Sequence, residues 1–450
     1  MKKLISAIAV ITAAVTCISG CGVKKTESGD LTEVTMWSSN SHSKVVMENL
    51  INKFNRTTGK ENGLNLVYTV KENELSKQLD IAFSTNSVPD LFSYSIEKGA
   101  QNGYILPISD ISGGEKLIEK HKDSLVEGLH SYKGKVYKLP WSVKTMGLIY
   151  NKDMFKAAGI VDENGDAKPP EMVECAKKLT NPKKREYGII IPLKWSAWFG
   201  YDVERCITPS VGYSGYNPAN GKYDYSGFKP FLEAIMQMKY DGSCYPGTEG
   251  IDNDPARARF AEGNIGMKIG YSWDVGVLND QFAAKCDWGV APIPTYSKDE
   301  KYLQFTQPEL TPCINAASYK EKGDKIIAVY NWLISDELSA ELYRQGVSIP
   351  CDYNIIKDVD LPKNAKHGWK EFGDLLEIST TYVLPMETDL DGKTELSDMF
   401  VNDVWTGKMT IDKALEIATK DANDGVEKYQ KLHSDFDPSR RIISNYNIKR

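Results

Sequence analysis

Residues 131–160, SYKGKVYKLPWSVKTMGLIYNKDMFKAAGI, decide the architecture. The run Lys135 to Leu139 sets Val136 and Leu139 among Tyr137 and Lys138 in a strand-like pattern. Pro140 has no N–H to give a central ladder, so this strand is expected to end there. Met146 to Tyr150 is a second apolar run and a second strand. Asn151 and Asp153 favour the start of a short helix over Met154 to Ala158, and Gly159 is a natural stop. Between the strands stands Trp141, an aromatic expected to be exposed. Two strands meeting there mark a place where two sheets exchange chain.

With 450 residues the chain has room for two domains of ordinary size. A composition 41% hydrophobic and 26% charged is globular, neither disordered nor fibrous. The net charge of −6 argues against a nucleic-acid partner, which would want a basic face. After residue 20 no apolar run approaches the roughly 18 residues that a membrane helix needs. Nine Trp and 24 Tyr suit flat apolar ligand faces as well as a core.

The beginning of the chain reads as a targeting segment. Met1-Lys2-Lys3 is a short positive region, and Leu4 to Ile18 is an apolar run of signal-peptide length. Ile18-Ser19-Gly20-Cys21 resembles the bacterial lipobox, which implies removal of residues 1–20 and a lipid on Cys21. Residues 21–33 are polar and aperiodic, as a flexible tether would be. Cys17 falls in the removed segment. The six remaining cysteines, at 175, 206, 244, 286, 313 and 351, are widely spaced without C-x-x-C. They do not read as a metal cluster, and both disulfides and buried thiols are open to them.

Strands and helices alternate after the tether. Val34 to Trp37 is a strand, followed by a helix with Val46, Leu50 and Phe54 on one face. Asn65 to Val70 is a strand, and Leu75, Leu79 and Ala82 stripe the next helix. Leu91 to Ser95 is a strand behind Asp90, which reads as a helix cap. Such alternation means a mostly parallel sheet with covering helices, and ligands bind beyond the carboxyl ends of its strands. Trp37 to Asn40 and Tyr94 to Glu97 sit at such ends. Further on, 187–193 and 265–272 read as strands, and 226–240, 324–345 and 411–430 as helices. The 265–272 strand delivers Trp273 and Asp274 into a loop. No repeat of 20 to 50 residues appears.

Several short stretches, in order, resemble family 1 extracellular solute-binding proteins, the sugar-capturing lipoproteins of bacterial ABC importers. Tyr137 and Pro140 match the Tyr-x-x-Pro strand of that family. Tyr150, Asn151, Lys152, Asp153, Phe155, Ala158 and Gly159 match its Tyr-Asn-Lys-Asp-x-Phe and Ala-Gly. The resemblance continues in Ala82 to Asp90, in Gly103 to Ile108, and in Pro170 to Leu179, where the family's usual Thr-Trp is missing. It also covers Phe260 to Met267, with Gly266 in place of the usual Ala, and Asp287 to Pro294. It implies an α/β, two-lobed periplasmic-binding fold of type II with the ligand cleft between the lobes. Lobe one is then expected at 31–143 and 299–352, and lobe two at 144–298 and 353–450. Hinge crossings are expected near Trp141 to Lys144, Pro294 to Tyr296 and Pro350 to Tyr353.

The resemblance further implies a mono- or oligosaccharide ligand, a membrane permease as partner, a monomer, and a place on the outer face of the cell membrane. A sugar offers C–H faces to aromatic rings and hydroxyl edges to paired donors and acceptors. The expected contacts are Trp37, Ser39 and Asn40 from the first loop, and Tyr94 and Glu97 after the next strand. Trp141 and Lys144 come from the crossover. Trp195, Trp198, Trp273 and Asp274 come from lobe two, with one of Trp195 and Trp198 lining the cleft. Residues 385–389 are a weaker candidate. Each of these tryptophans has a core or sheet-covering role as its alternative. Trp288, Trp332, Trp369 and Trp405 read as structural.

Other chemistries leave little trace. The five His do not pair at metal-ligand spacing, and there is no phosphate-binding glycine loop or nucleophile elbow. No metal or cofactor is expected, and the chain does not read as an enzyme. A peptide, polyamine or polyol-phosphate binder on the same fold stays open. So does a lipid-anchored glycosidase, which would need two carboxylates across a sugar-sized cleft.

Overall fold

The computed structural model describes residues 31–41, 43–71, 74–169, 171–296, 302–381, 395–434, 436–443 and 446–449. The targeting segment, Cys21, the first ten residues of the tether and residues 385–389 lie outside them.

Three four-stranded sheets carry the chain. In the first, Thr32–Ser38 runs parallel to Leu64–Val70 on one side and Leu91–Phe92 on the other. Cys313–Ile314 returns antiparallel on the edge. Helix Lys44–Arg56 covers it through Met47, Ile51 and Phe54, a four-then-three spacing that stays on one face. The expected row Val46, Leu50, Phe54 is only partly right, because steps of four drift by 40° around the helix and leave Val46 and Leu50 half-buried. Helix Leu75–Thr85 buries the expected Leu75, Leu79 and Ala82.

In the second sheet, Met146–Asn151 lies between antiparallel partners Ile265–Tyr271 and Trp288–Ala291, with Tyr187–Ile189 beyond. Every residue of Ile265–Tyr271 is buried, as in a sheet covered on both faces. Asn151 caps the following helix Lys152–Ala157 by accepting the Met154 N–H at 3.0 Å.

The third sheet gathers strands from distant parts of the chain. Pro140–Lys144 is antiparallel to Gln304–Leu310 and to Ile349–Pro350, and Ser379–Thr381 adds a parallel edge. Pro140 therefore begins a strand instead of ending one. It sits at a first-residue position opposite a register shift at Glu309/Leu310, where a missing N–H costs little. The residues before it form only the hairpin Ser131–Tyr132 with Lys135–Val136.

Three strands far apart in the chain, Pro140–Lys144, Gln304–Leu310 and Ile349–Pro350, meet in this sheet. The Tyr302 N–H donates to Pro209 O at 3.0 Å and the Phe305 N–H to Thr208 Oγ1 at 3.2 Å. Gln304 Nε2 donates to Met146 O at 2.7 Å. These bonds hold the start of that strand in the second lobe. The Thr311 N–H donates to Leu139 O at 3.0 Å, in the first lobe. The crossing is thus Gln304–Leu310 and not Pro294 to Tyr296.

The single helix expected over 324–345 is two, Ala316–Leu333 and Asp336–Arg344. Ser335 starts the second by accepting the Leu338 N–H at 3.2 Å. The six cysteines among the described residues are free thiols. Trp288, Trp369 and Trp405 are buried, and Trp332 stacks on Phe54 at 4.5 Å.

Asp90 does not cap a helix. It is 2% exposed, and its carboxylate accepts from the Thr35 N–H and from Lys322 Nζ, both at 2.7 Å. It ties the central strand of the first lobe to helix Ala316–Leu333. Replacing it removes the acceptor of the Thr35 N–H and leaves Lys322 Nζ with Glu33 O at 2.8 Å, so Asp90→Ala is expected to cost about 2 kcal/mol in urea unfolding. A loss below roughly 1 kcal/mol would contradict this role.

Candidate functional site

The carboxyl end of Thr32–Ser38 opens into a cavity of about 300 Å³ against the third sheet. Trp37, Ser39, Asn40 and Trp141 line it, together with Tyr68 and Glu309. Asn40 Oδ1 accepts the Ser43 N–H at 3.2 Å and turns the loop into its helix. Trp141 donates its indole N–H to Leu333 O at 2.8 Å, which fixes the ring at the cavity wall. Lys71 Nζ stands 4.4 Å from the centre of the Trp37 ring. Lys144 is near but does not line the cavity, because it pairs with Glu309 at 3.3 Å inside the third sheet. Ser142 Oγ also donates to Glu309, at 2.5 Å. Tyr68 could have been found from sequence, since it lies at the end of the strand parallel to Trp37. Glu309 could not, because nothing local marks 304–310 as a crossing strand.

Tyr94 and Glu97 line a neighbouring cavity of about 450 Å³. Ser95 caps the short helix Ile96–Gln101 by accepting the Lys98 N–H at 3.3 Å. Lys138 Nζ donates to Tyr94 O at 2.7 Å. Below this cavity His130 is fully buried, and its Nδ1 accepts the Val126 N–H at 3.0 Å.

The second lobe presents an aromatic platform. Trp273 stacks on Tyr271 at 4.4 Å, and Trp195 stacks on Tyr201 at 5.1 Å. Tyr201 meets Trp273 edge-on at 5.6 Å. Trp195 and Trp273 line one open cavity with Asp252 and Arg257. The platform lies at the hinge end of its sheet, since Tyr271 pairs with Met146 and the Ser272 N–H donates to Thr145 O at 3.0 Å.

Two expected contacts are structural supports. Trp198 is 2% exposed and packs against Phe199 and Phe400 in the core, so of the two it is Trp195 that lines the open cavity beside Trp273. The Trp198 N–H donates to Trp195 O at 3.0 Å across one turn of chain. Asp274 is 1% exposed, and its carboxylate is taken by Arg257 Nε at 2.6 Å and the Tyr271 N–H at 3.0 Å. It holds the Trp273 loop in place instead of offering an edge to a ligand. Behind the platform, burial lifts the Asp202 carboxyl to about 7, against the pull of Lys268.

Two α/β lobes joined by a three-crossing hinge, with aromatic walls at the hinge ends of their sheets, define a two-lobed binding protein of the type II periplasmic class. The chain belongs to the bacterial extracellular solute-binding protein family, whose pattern matches residues 40–339. It is 29% identical over 240 residues to a maltotriose-binding protein of Pyrococcus abyssi, covering 51% of this chain and 47% of that one. It is 30% identical over 172 residues to an arabinooligosaccharide-binding protein of Bacillus subtilis, covering 36% and 38%. The chain thus spans about half the length, or less, of these curated relatives. The structure is similar to apo RafE of Streptococcus pneumoniae, with a TM-score of 0.64 and 17% identity over 88% of this chain and 98% of RafE. That likeness concerns the fold.

Burial lowers the His130 pKa to about 4, below its ordinary 6.5. A folded-state pKa depressed in this way favours the neutral ring, so its contribution is complete above pH 6.5 and is lost as pH falls toward 4. The thermal midpoint of His130→Asn is therefore expected to fall less than that of the parent between pH 7 and pH 4.5. Equal acid sensitivity would contradict a buried neutral His130.

Proposed function

We propose that this chain is the substrate-binding component of an ABC importer and captures a mono- or oligosaccharide between its lobes. The observation that carries the reading is a pair of aromatic-lined cavities, one with Trp37 and Trp141 and one with Trp195 and Trp273. Flat rings bury the C–H faces of a sugar, and the polar groups beside them re-pair its hydroxyls. Of the charges near the first wall, Lys71 stands over the Trp37 ring. Lys138 is committed to a carbonyl, and Lys144 and Glu309 to each other. A polyamine would want free carboxylates, and Glu309 is paired with Lys144, while the aromatic rings favour a sugar over a phosphorylated polyol that the panel below includes. A glycosidase would need two carboxylates flanking the bond, and Glu309 is held by Lys144 and Ser142.

In this reading the hinge strands let the lobes close over the sugar and exclude water. The closed form is what a membrane permease recognises, and a separate ATPase supplies the energy. Cys21, once lipidated, holds a monomer on the outer face of the cell membrane through the tether.

Thermal unfolding against a panel of sugars, glycerol phosphate and spermidine tests the reading. A bound sugar stabilises by about 2.7 kcal/mol at 100 times its dissociation constant. A rise with a sugar that disappears in Trp273→Ala is expected. A rise only with glycerol phosphate or spermidine would sink the carbohydrate reading.

A further inference from the structure

The second lobe carries a patch of unmatched positive charge away from the cleft. Residues 174–186, ECAKKLTNPKKRE, hold five cations against two carboxylates, a local charge of +3 on a chain of net charge −6. Lys177, Lys178, Lys183, Lys184 and Arg185 are all exposed. Among the described residues none of the five makes an ion pair or donates a side-chain hydrogen bond. No large apolar side chain is exposed in the same stretch, so the patch offers charge without a group to insert.

Two of the cations have a local reason. Lys177 and Lys178 lie in the last turn of helix Met172–Leu179, where positive charge suits the helix dipole. The other three stand on a turn that the fold pins at both ends. The Asn181 N–H donates to Glu186 O at 2.9 Å, and the Glu186 N–H returns to Asn181 O at 3.1 Å. Asn264 Nδ2 donates to Arg185 O at 3.2 Å. Arg185 has a φ of +59°, in the left-handed region where Gly or Asn is easier. The turn thus keeps an arginine where the backbone favours a smaller residue.

Its position follows from the sheet. Tyr187, next after the turn, pairs with Ile265, the first residue of Ile265–Tyr271. The aromatic platform is at the other end of that strand, about 20 Å away at roughly 3.3 Å per residue. Thr32, where the expected tether enters the first lobe, likewise begins a strand whose far end opens into a cavity. Both places lie away from the aromatic rings.

We propose that the patch rests on the anionic phosphate surface of the membrane. The inference depends on the lipid-anchor reading above and adds a second contact, on the other lobe. Lys and Arg near such a surface each add an attraction that fades within a Debye length. A few cations hold weakly alone, but the tether keeps the lobe at high effective concentration over the membrane. That proximity also favours membrane phosphates over a soluble polyphosphate of the same chemistry. With the tether on one lobe and the cations on the other, the lobes lie side by side on the membrane and neither contact covers an aromatic wall.

Co-sedimentation with vesicles tests it, using the mature chain from residue 21 with Cys21→Ser to leave out the lipid. At about 10 mM salt, where the Debye length is about 30 Å, binding to vesicles containing phosphatidylglycerol is expected to exceed binding to phosphatidylcholine alone by about tenfold or more. At about 1 M salt, where that length is about 3 Å, the excess is expected to vanish. The variant Lys183→Gln/Lys184→Gln/Arg185→Gln, shown to be folded by its thermal midpoint, is expected to lose about fivefold or more of the excess. Equal binding to both vesicles, or an excess unmoved in the variant, overturns the proposal. So does binding of soluble polyphosphate with no excess on the anionic vesicles. The mass of the N-terminal peptide of the native protein tests the anchor apart from the patch, and an unmodified Cys21 overturns the anchor alone.

Discussion

Everything in this molecule depends on one strand, Pro140–Lys144, held by antiparallel ladders from two other crossings. The constraint is topological. A chain that builds two lobes from discontinuous pieces must pass between them, and here it does so through one small sheet. That sheet fixes where the hinge ends of both larger sheets lie. It also carries Trp141 and Glu309 to the cavity, so the element that joins the lobes is itself part of the wall.

The aromatic walls are held from behind by polar bonds. The indole N–H of Trp141 is spent on Leu333 O, and the Trp273 loop is braced by Asp274 against Arg257. Such bonds matter because an exposed ring without a fixed rotamer would lose conformational freedom when a ligand arrives. Buried pairs of this kind add little net stability, yet removing one partner is expensive. Their effect is to keep the rings in position.

Much of the fold was legible in the sequence because its signals are local. The Leu75, Leu79, Ala82 stripe, the Asn151 cap and the run Met146 to Tyr150 each specify their element within a few residues. What was not legible depended on distance. Asp274 reads as an exposed loop carboxylate until Arg257 is placed beside it. Trp195 and Trp198 share one loop, and only packing against Phe400 separates core from wall. Asp90 reads as a cap because its partners, Thr35 and Lys322, are remote in sequence. Pro140 misled for a different reason, since the rule that proline ends a central strand does not bind at a strand's first residue.

The central claim is that walls on separate lobes meet around one sugar. Small-angle X-ray scattering measures it directly, with the protein free and saturated by the sugar that most raises its unfolding midpoint. The account predicts a smaller radius of gyration in the bound state, from closure about the Pro140–Lys144 sheet. An unchanged radius with the site demonstrably filled would contradict it and would place the ligand on one lobe alone.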